Sequence, residues 1–214
     1  MSSPRDFYDS EYHFASDAAR PDEARIRRSL RHLEPLQDTT HLDLGCGAGW
    51  AARLARRDGH TARTIGLDFS RTALQLARGH TPEILWVQAD GTALPVADAS
   101  IDRLYCDGAI EHFPDTRQGL REIARVLRPS GRAVVIVPNF YVKTEQPMEF
   151  RTHYWGWRRQ IEAAGLTVEK TGVDWGPPFR GAGSAARMVK RLAGKLLGLI
   201  PFMQYQFVFV LRKA

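Results

Sequence analysis

The sequence predicts one α/β domain with a doubly wound, mostly parallel seven-stranded sheet, helices on both faces and an antiparallel last strand. Strand-like apolar segments alternate with amphipathic helical segments along most of the chain. The inner strand segments, such as residues 132–137 (RAVVIV), are continuously apolar, which is typical of parallel strands covered on both faces. A glycine-rich turn in residues 45–49 joins the first strand to a helix. The last two strands are expected to pair with each other, because no crossover of the earlier kind separates them.

The length and composition predict a single globular domain in the cytoplasm. The 214 residues are 43% hydrophobic and 25% charged, enough for one domain with a substantial core. The first twelve residues are polar and predict no signal peptide, and no apolar run approaches the roughly 20 residues of a membrane span. Two distant cysteines, Cys46 and Cys106, predict a reducing compartment and no structural metal.

The chain is basic, with a formal net charge of +6 and a pI of about 9.6. Its arginines and lysines are scattered through the predicted helices. Aromatic residues do not alternate with them as they do in a nucleic-acid stacking surface. We therefore expect no nucleic-acid partner.

The predicted elements follow from periodicity, caps and breakers. A helix is expected to begin at residues 21–23 and to end at Pro35. Strands are expected at residues 40–44, 63–67, 84–88, 103–106, 132–137, 166–173 and 206–211. Helices are expected at residues 49–57, 70–79, 117–127 and 154–164, with Pro129 and Gly131 ending the third of these. All of them form one domain, divided into an N-terminal lid and helix (1–37), a core (38–140) and a final part with the last two strands (141–214).

The glycine turn indicates a nucleotide site but does not by itself name the nucleotide. Gly45, Gly47 and Gly49 are spaced Gly-x-Gly-x-Gly, and Trp50 stands where a dinucleotide dehydrogenase has its third glycine. The Gly-Lys-Ser/Thr of a phosphate loop is missing from the turn. A tight strand-to-helix turn without a ligand is the alternative interpretation.

Two acidic strand ends favour a nucleoside. Asp68 ends the second strand about 20 residues beyond the glycines, where a carboxylate can bind ribose hydroxyls, and Phe69 could cover an adenine ring. Asp90 ends the third strand beside Gly91 and could accept from the adenine amino group. Because ligands bind at the carboxyl ends of such strands, the two carboxylates and the glycine turn are expected to meet.

Four segments resemble the motifs of class I S-adenosylmethionine-dependent methyltransferases, which have a Rossmann-like fold. They are HLDLGCGAG, IGLDFS, VQADGTALPVADASIDRLYCDGAIEHF and VLRPSGRAVVIVPN, and they look most like the small-molecule subgroup that includes ubiquinone and menaquinone methyltransferases. The resemblance implies S-adenosyl-L-methionine as cofactor. It also implies the roles of single residues. Asp43 would support the glycine loop, and Gly45, Cys46 and Gly47 would lie against the methionine part. Asp68 would bind the ribose and Asp90 the adenine, and Asp107 and Gly108 would line the methionine side.

His112 and Glu111 are the candidate catalytic residues, in the segment after the fourth strand that faces the mouth of the site. An unperturbed imidazole titrates near pH 6.5, so His112 is suited to act as a general base; local packing is its alternative role. Glu111 could bind the cofactor's ammonium group or the acceptor, or it could be a solvated neighbour of the site. In the N-terminal segment, Tyr12 could touch the methionine carboxylate or the acceptor, or it could fix a lid to the core. Tyr154 with its neighbouring aromatics could shape an acceptor pocket.

Residues 184–200 predict a basic amphipathic helix. It either packs between the last two strands with its cations in water, which is the favoured interpretation, or rests on an anionic membrane surface.

The leading hypothesis is methyl transfer to O, N or C of a small-molecule or lipid-linked acceptor. The alternatives are a nicotinamide-dependent oxidoreductase and a non-catalytic S-adenosylmethionine-binding protein.

Overall fold

The computed structural model describes residues 22–140, 150–174 and 206–214, whose strands form one seven-stranded sheet. The strands are β1 (Thr40–Leu44), β2 (Arg63–Asp68), β3 (Leu85–Gln88), β4 (Ile101–Asp107), β5 (Leu127–Pro138), β6 (Leu166–Asp174) and β7 (Gln206–Lys213). The α-helices are α1 (Glu23–Leu30), α2 (Trp50–Gly59), α3 (Arg71–His80), α4 (Thr116–Val126) and α5 (Tyr154–Ala163). Short 3-10 turns occupy Arg31–Leu33 and Ile110–His112.

The strand order confirms the predicted fold class. The strands lie in the order β3-β2-β1-β4-β5-β7-β6. The first five are mutually parallel, whereas β7 runs antiparallel to both β5 and β6. A dinucleotide-binding domain has the order 3-2-1-4-5-6. The antiparallel strand inserted next to β5 therefore separates this sheet from the dehydrogenase type.

Alternate side chains of the inner strands fill two cores, one on each face of the sheet. On β5, Val135 and Val137 join the core under α4 and α5, which also holds the fully buried Trp157. Val134 and Ile136 point to the other face and pack with α1 and α2. This alternation is the period of two of an extended strand, and it explains why the continuous apolar run of β5 is buried on both faces.

The junction between α4 and β5 differs from the prediction. β5 begins at Leu127, directly after α4, and passes through Pro129 and Gly131, which the sequence predicts to end the helix ahead of a strand at 132–137. The cause is burial: Leu127 is fully buried and pairs with Ile101 at the start of β4, which extends that strand as well. The register shifts between Ile101 and Arg103, so the turn-forming residues are accommodated as an irregularity of the ladder.

No helix among the described residues combines the length and the apolar character needed to cross a membrane.

Candidate functional site

A cleft of about 320 Å³ lies at the carboxyl ends of the parallel strands, where the sequence places it. Its walls come from the turns after β1, β2, β3 and β4. The lining residues are Leu44, Gly45, Gly47, Leu67, Asp68, Phe69, Ala89, Asp90, Gly91, Asp107, Gly108, Ala109, His112, Phe113 and Pro114. Nine of the thirteen predicted site residues are in this set.

The glycine loop is held against its neighbours by backbone contacts. The backbone N–H groups of Gly45 and Cys46 both donate to the carbonyl of Leu67, over 2.8 and 3.0 Å. Gly45 has a φ of +70°, and a Cβ there would lie 2.2 Å from the Cβ of Ala109. Only glycine allows the loop to approach the turn after β4 this closely. The loop therefore presents backbone to the cleft.

Asp43 supports this loop from behind and does not line the cleft. Its Oδ2 accepts from the backbone N–H of Ala52, 2.9 Å away, in the first turn of α2. The residue that caps α2, Gly49, has no side chain for this purpose, so Asp43 takes the place of an N-cap. Burial raises the pKa of Asp43 to about 7, and the nearby charges of Asp107 and Asp68 raise this pKa as well.

Asp68 connects the glycine loop to the helix that follows β2. Its Oδ2 accepts from the backbone N–H of Gly47 over 2.7 Å, and its Oδ1 accepts from that of Ser70 over 2.8 Å. A carboxylate has about four acceptor positions, so these bonds are compatible with binding a hydroxyl in the cleft. The neighbouring Phe69 lines the cleft and is 36% exposed.

Asp90 and Gly91 form the wall after β3. Asp90 is exposed, and its Oδ1 accepts from both the backbone N–H and the hydroxyl of Thr92 at 2.8 Å, which fixes the turn. A Cβ on Gly91 would lie 2.1 Å from the ring of Phe113. Phe113 and Pro114 line the cleft although the sequence did not single them out. The contact between Gly91 and Phe113 is a long-range one, and no local pattern indicates it.

Asp107 and Gly108 form the wall after β4, as the sequence predicts. The guanidinium of Arg25, on α1, donates two hydrogen bonds to the carboxylate of Asp107, over 2.8 and 2.9 Å. The Tyr105 hydroxyl donates to the same carboxylate over 3.1 Å. Sequence reasoning missed Arg25, which lies 82 residues before its partner.

His112 lines the cleft, whereas Glu111 lies behind it. Both belong to the 3-10 turn after β4. Glu111 is only 3% exposed, and its Oε1 lies 3.9 Å from the Nε2 of His112. Its backbone carbonyl accepts from the N–H of Phe150 over 2.7 Å, which fastens this turn to the segment before α5. The structure thus places His112, and not Glu111, in the lining of the cleft.

Cys46 contributes backbone to the loop and does not line the cleft. Its side chain packs in a small core with Leu74 and Trp86, and burial raises the pKa of its thiol well above the usual value. The thiol therefore fills space in this small core and is not suited to act as a nucleophile. Tyr12 and residues 184–200 lie outside the described residues.

The charge of the cleft indicates what it can hold. Its described lining has three carboxylates, those of Asp68, Asp90 and Asp107, and neither lysine nor arginine. Such a lining disfavours a phosphate group and favours hydroxyls, amino groups and a cationic ligand. Within the described ranges, no three His, Cys, Asp or Glu residues are grouped as a metal site would require.

The fold and the cleft together define a class of protein, a nucleoside-binding α/β domain with an antiparallel strand inserted beside β5. Residues 42–135 match a protein family described as a methyltransferase domain. This match falls in the part of the chain that carries the four motifs, and the resemblance to S-adenosylmethionine-dependent methyltransferases stated from those motifs is confirmed for these residues.

Two curated relatives of this domain are named as quinone methyltransferases. The chain is 41% identical over 108 residues to a 2-phytyl-1,4-naphtoquinone methyltransferase of Thermosynechococcus vestitus, covering 49% of this chain and 48% of the relative. It is 34% identical over 115 residues to the demethylmenaquinone methyltransferase of Lactococcus lactis, covering 51% of this chain and 46% of the relative. The chain therefore spans about half the length of these curated relatives.

The fold is also that of solved methyltransferase structures. One similar chain comes from the complex between the Haloferax volcanii Trm112 methyltransferase activator and a methyltransferase. The match has a TM-score of 0.75 at 23% identity and covers 99% of this chain and 97% of that chain.

Proposed function

We propose that this protein binds S-adenosyl-L-methionine and transfers its methyl group to a small-molecule acceptor. The observation that carries the proposal is the meeting of a glycine loop with three carboxylates in one cleft that has no described basic lining residue. S-adenosylmethionine has no phosphate and carries a cationic sulfonium. Its ribose hydroxyls and amino groups are partners for carboxylates.

The residues present fit this cofactor along the length of the cleft. Asp68 would accept from the ribose hydroxyls, with Phe69 beside the adenine ring. Asp90 would accept from the adenine amino group, and the backbone at Gly91 would face the ring edge. At the other end, the wall made by Gly45, Cys46 and Gly47 would meet the wall made by Asp107 and Gly108 around the methionine part.

The protein's own contribution to the reaction is mainly positioning. The bound cofactor supplies an electrophilic methyl group. The glycine loop and the turn after β4 would hold the cofactor in a fixed orientation toward an acceptor, and such orientation can lower a barrier by several kcal/mol. His112 lines the cleft and would accept a proton from an acceptor that has to lose one. Glu111, at 3.9 Å from His112, would orient this imidazole.

Calorimetric titration and an acceptor panel test the proposal. We expect the folded protein to bind S-adenosylmethionine and S-adenosylhomocysteine but not NAD. Transfer of a labelled methyl group is expected to at least one small aromatic or carboxylic acceptor. Failure of the folded protein to bind S-adenosylmethionine would reject the proposal, and binding without turnover on any acceptor would favour a non-catalytic binding protein.

The proposed role of His112 has a test of its own. Replacing His112 by Gln should lower kcat about 100-fold or more for an acceptor that must be deprotonated, the usual contribution of a general base. The affinity for S-adenosylmethionine should stay within about twofold. The exposed His153, which caps α5, gives the control substitution His153→Asn, and equal activity loss in both variants would contradict the assignment.

The acceptor is proposed to be small or lipid-linked. The quinone relatives support this class of acceptor. Exposed aromatic side chains near the carboxyl end of β5 support it as well. Phe140 is 56% exposed just after β5, and Trp155 is 60% exposed in the first turn of α5.

Peripheral membrane contact in the cytoplasm is a second part of this proposal, carried by the basic amphipathic pattern of residues 184–200. Co-sedimentation with anionic vesicles should exceed that with neutral vesicles and should decrease when Leu192 is replaced by Asp. Equal recovery in the supernatant with both lipids would reject membrane contact.

A further inference from the structure

Three exposed aromatic side chains lie close together at the carboxyl end of β5. Phe140 is 56% exposed, Phe150 is 39% exposed and Trp155 is 60% exposed. Among the described residues, the other large hydrophobic side chains with such exposure are Phe69, which lines the cleft, and Leu85 on β3. A group of exposed apolar side chains indicates an interaction surface, whereas a single one such as Leu85 does not. Phe140, Phe150 and Trp155 are called the aromatic rim below.

Contacts between described residues place the aromatic rim beside the mouth of the cleft. Asn139, at the end of β5, pairs with Thr152 in an isolated parallel bridge. The backbone N–H of Phe150 donates to the carbonyl of Glu111 over 2.7 Å. Trp155 follows in the first turn of α5. The aromatic rim therefore borders the turn after β4, which contributes to the cleft lining.

The positive charge of the chain is concentrated in the two connections that follow β5. Residues 139–165, between β5 and β6, contain four basic and three acidic residues. Residues 175–205, between β6 and β7, contain five basic and no acidic residues. These two connections therefore account for the whole formal net charge of +6, and the rest of the chain is neutral overall.

Both connections adjoin the aromatic rim. Pro138, the last residue of β5, pairs with Gln206, the first residue of β7. Gln206 also pairs with Asp174, the last residue of β6. Residues 175–205 therefore leave and rejoin the sheet at the end that carries the aromatic rim. Aromatic side chains together with an excess of basic residues are the features that bind a protein to an anionic lipid surface.

We propose that the aromatic rim docks on an anionic lipid bilayer, so that the cleft opens toward the membrane. The rings of Phe140 and Trp155 would enter the interface, and the basic residues of the two connections would face anionic headgroups. This inference rests on the proposed function, because it assigns the proposed membrane contact to one face of the protein. A lipid-linked acceptor would then reach the cleft directly from the bilayer.

Vesicle co-sedimentation of the whole chain tests this docking face. Wild-type protein should pellet with vesicles of equimolar phosphatidylcholine and phosphatidylglycerol, and much less with phosphatidylcholine alone. The double variant Phe140→Ser with Trp155→Ser should bind the anionic vesicles about tenfold or more weakly, because two large apolar side chains no longer leave water. The matched control is Leu85→Ser on the edge strand β3. Leu85 is as exposed as Phe140, at 56%, and its loss should change binding by less than about twofold.

Tryptophan fluorescence reports whether the aromatic rim itself meets lipid. Anionic vesicles with brominated acyl chains should quench the fluorescence of wild-type protein. Trp155→Phe keeps an aromatic ring and should bind these vesicles like wild type while it loses most of the quenching. Binding without any quenching that depends on Trp155 would overturn the inference, because another part of the chain would then cover the rim.

Two further results would also overturn the inference. One is a double variant that binds anionic vesicles as tightly as wild type, and the other is a wild-type protein that pellets with neither lipid. Calorimetry with S-adenosylmethionine keeps these results apart from the proposed methyl transfer. The double variant should keep its affinity for S-adenosylmethionine within about twofold, because the aromatic rim lies outside the carboxylate lining of the cleft. A wild-type protein that docks on vesicles but binds no S-adenosylmethionine would reject methyl transfer and leave the docking face standing.

Discussion

At the scale of single residues, His41 stands out because its imidazole is buried in β1 without a hydrogen bond. The side chain is 0% exposed, and neither ring nitrogen has a hydrogen-bond partner among the described residues. Burial lowers the pKa of His41 to about 3, from the usual 6.5. A buried polar group without a partner lowers stability by about 1–3 kcal/mol. His41 is therefore expected to limit the stability of the central strand.

Replacing His41 by Leu should stabilise the protein, most of all in acid. Between pH 6.5 and 3 the unfolded chain binds a proton at this histidine and the folded protein does not, so the histidine makes wild-type stability fall as pH falls. At pH 5 this contribution is about 2 kcal/mol, and it disappears above pH 6.5.

Urea denaturation of both proteins at pH 5 and pH 8 measures the effect. The gain from His41→Leu should be larger at pH 5. The same substitution at the exposed His80 controls for the loss of one imidazole from the chain. A gain that is equal at the two pH values would contradict the burial of a neutral His41.

Residue by residue, the sequence identifies the polar groups that follow strands and misses those that depend on distant contacts. Asp68 and Asp90 can be predicted because the carboxyl ends of parallel strands meet at one edge of the sheet. Arg25 could not be predicted, because its partner Asp107 is 82 positions away in the sequence. No local pattern indicates which residue of a distant strand a helical arginine will contact. The side chain of Glu111 is predicted at the site but lies behind it, because a 3-10 turn directs only His112 into the cleft.

At the scale of elements, the junction of β1 and α2 depends on glycine in an unusual conformation. Replacing Gly45 by Ala should destabilise the protein by about 2–3 kcal/mol and weaken cofactor binding. An alanine at this position would have to adopt the positive φ of Gly45, and its Cβ would lie 2.2 Å from the Cβ of Ala109. Gly79→Ala, in α3 where an added Cβ meets nothing within 4 Å, should be neutral or stabilising. Thermal melting of the two variants compares them, and a Gly45→Ala protein as stable as wild type would refute the tight loop.

Element boundaries were predictable where local signals act alone. Ser70 caps α3 through a hydrogen bond from the N–H of Ala73, as its position before an amphipathic segment indicates. β5 was predicted too short because Pro129 and Gly131 are turn formers. Pairing of the buried Leu127 with Ile101 overrides this local preference, and such pairing is a property of the tertiary fold.

At the scale of the whole molecule, elements far apart in sequence meet at one end of the cleft. Arg25 of α1 and Gln206 of β7 are 181 residues apart and are joined by a hydrogen bond beside Asp107. The antiparallel β7 thus does more than extend the sheet, since its first residue helps to fix the cation at the site. The alternation of strands and helices in the sequence predicts the parallel part of the sheet. The contact between β7 and α1 beside Asp107 cannot be predicted in this way, because it depends on long-range pairing.

Titration calorimetry of Asp68→Asn with S-adenosylmethionine tests the central claim most directly. If the cleft holds the cofactor with its ribose on Asp68, the substitution should lower affinity about tenfold or more, the loss expected for hydrogen bonds to a charged group. Asp58→Asn, in the last turn of α2, removes an equal charge away from the cleft. It should leave the affinity for S-adenosylmethionine within about twofold of the wild-type value. Wild-type affinity in a folded Asp68→Asn protein would contradict the account.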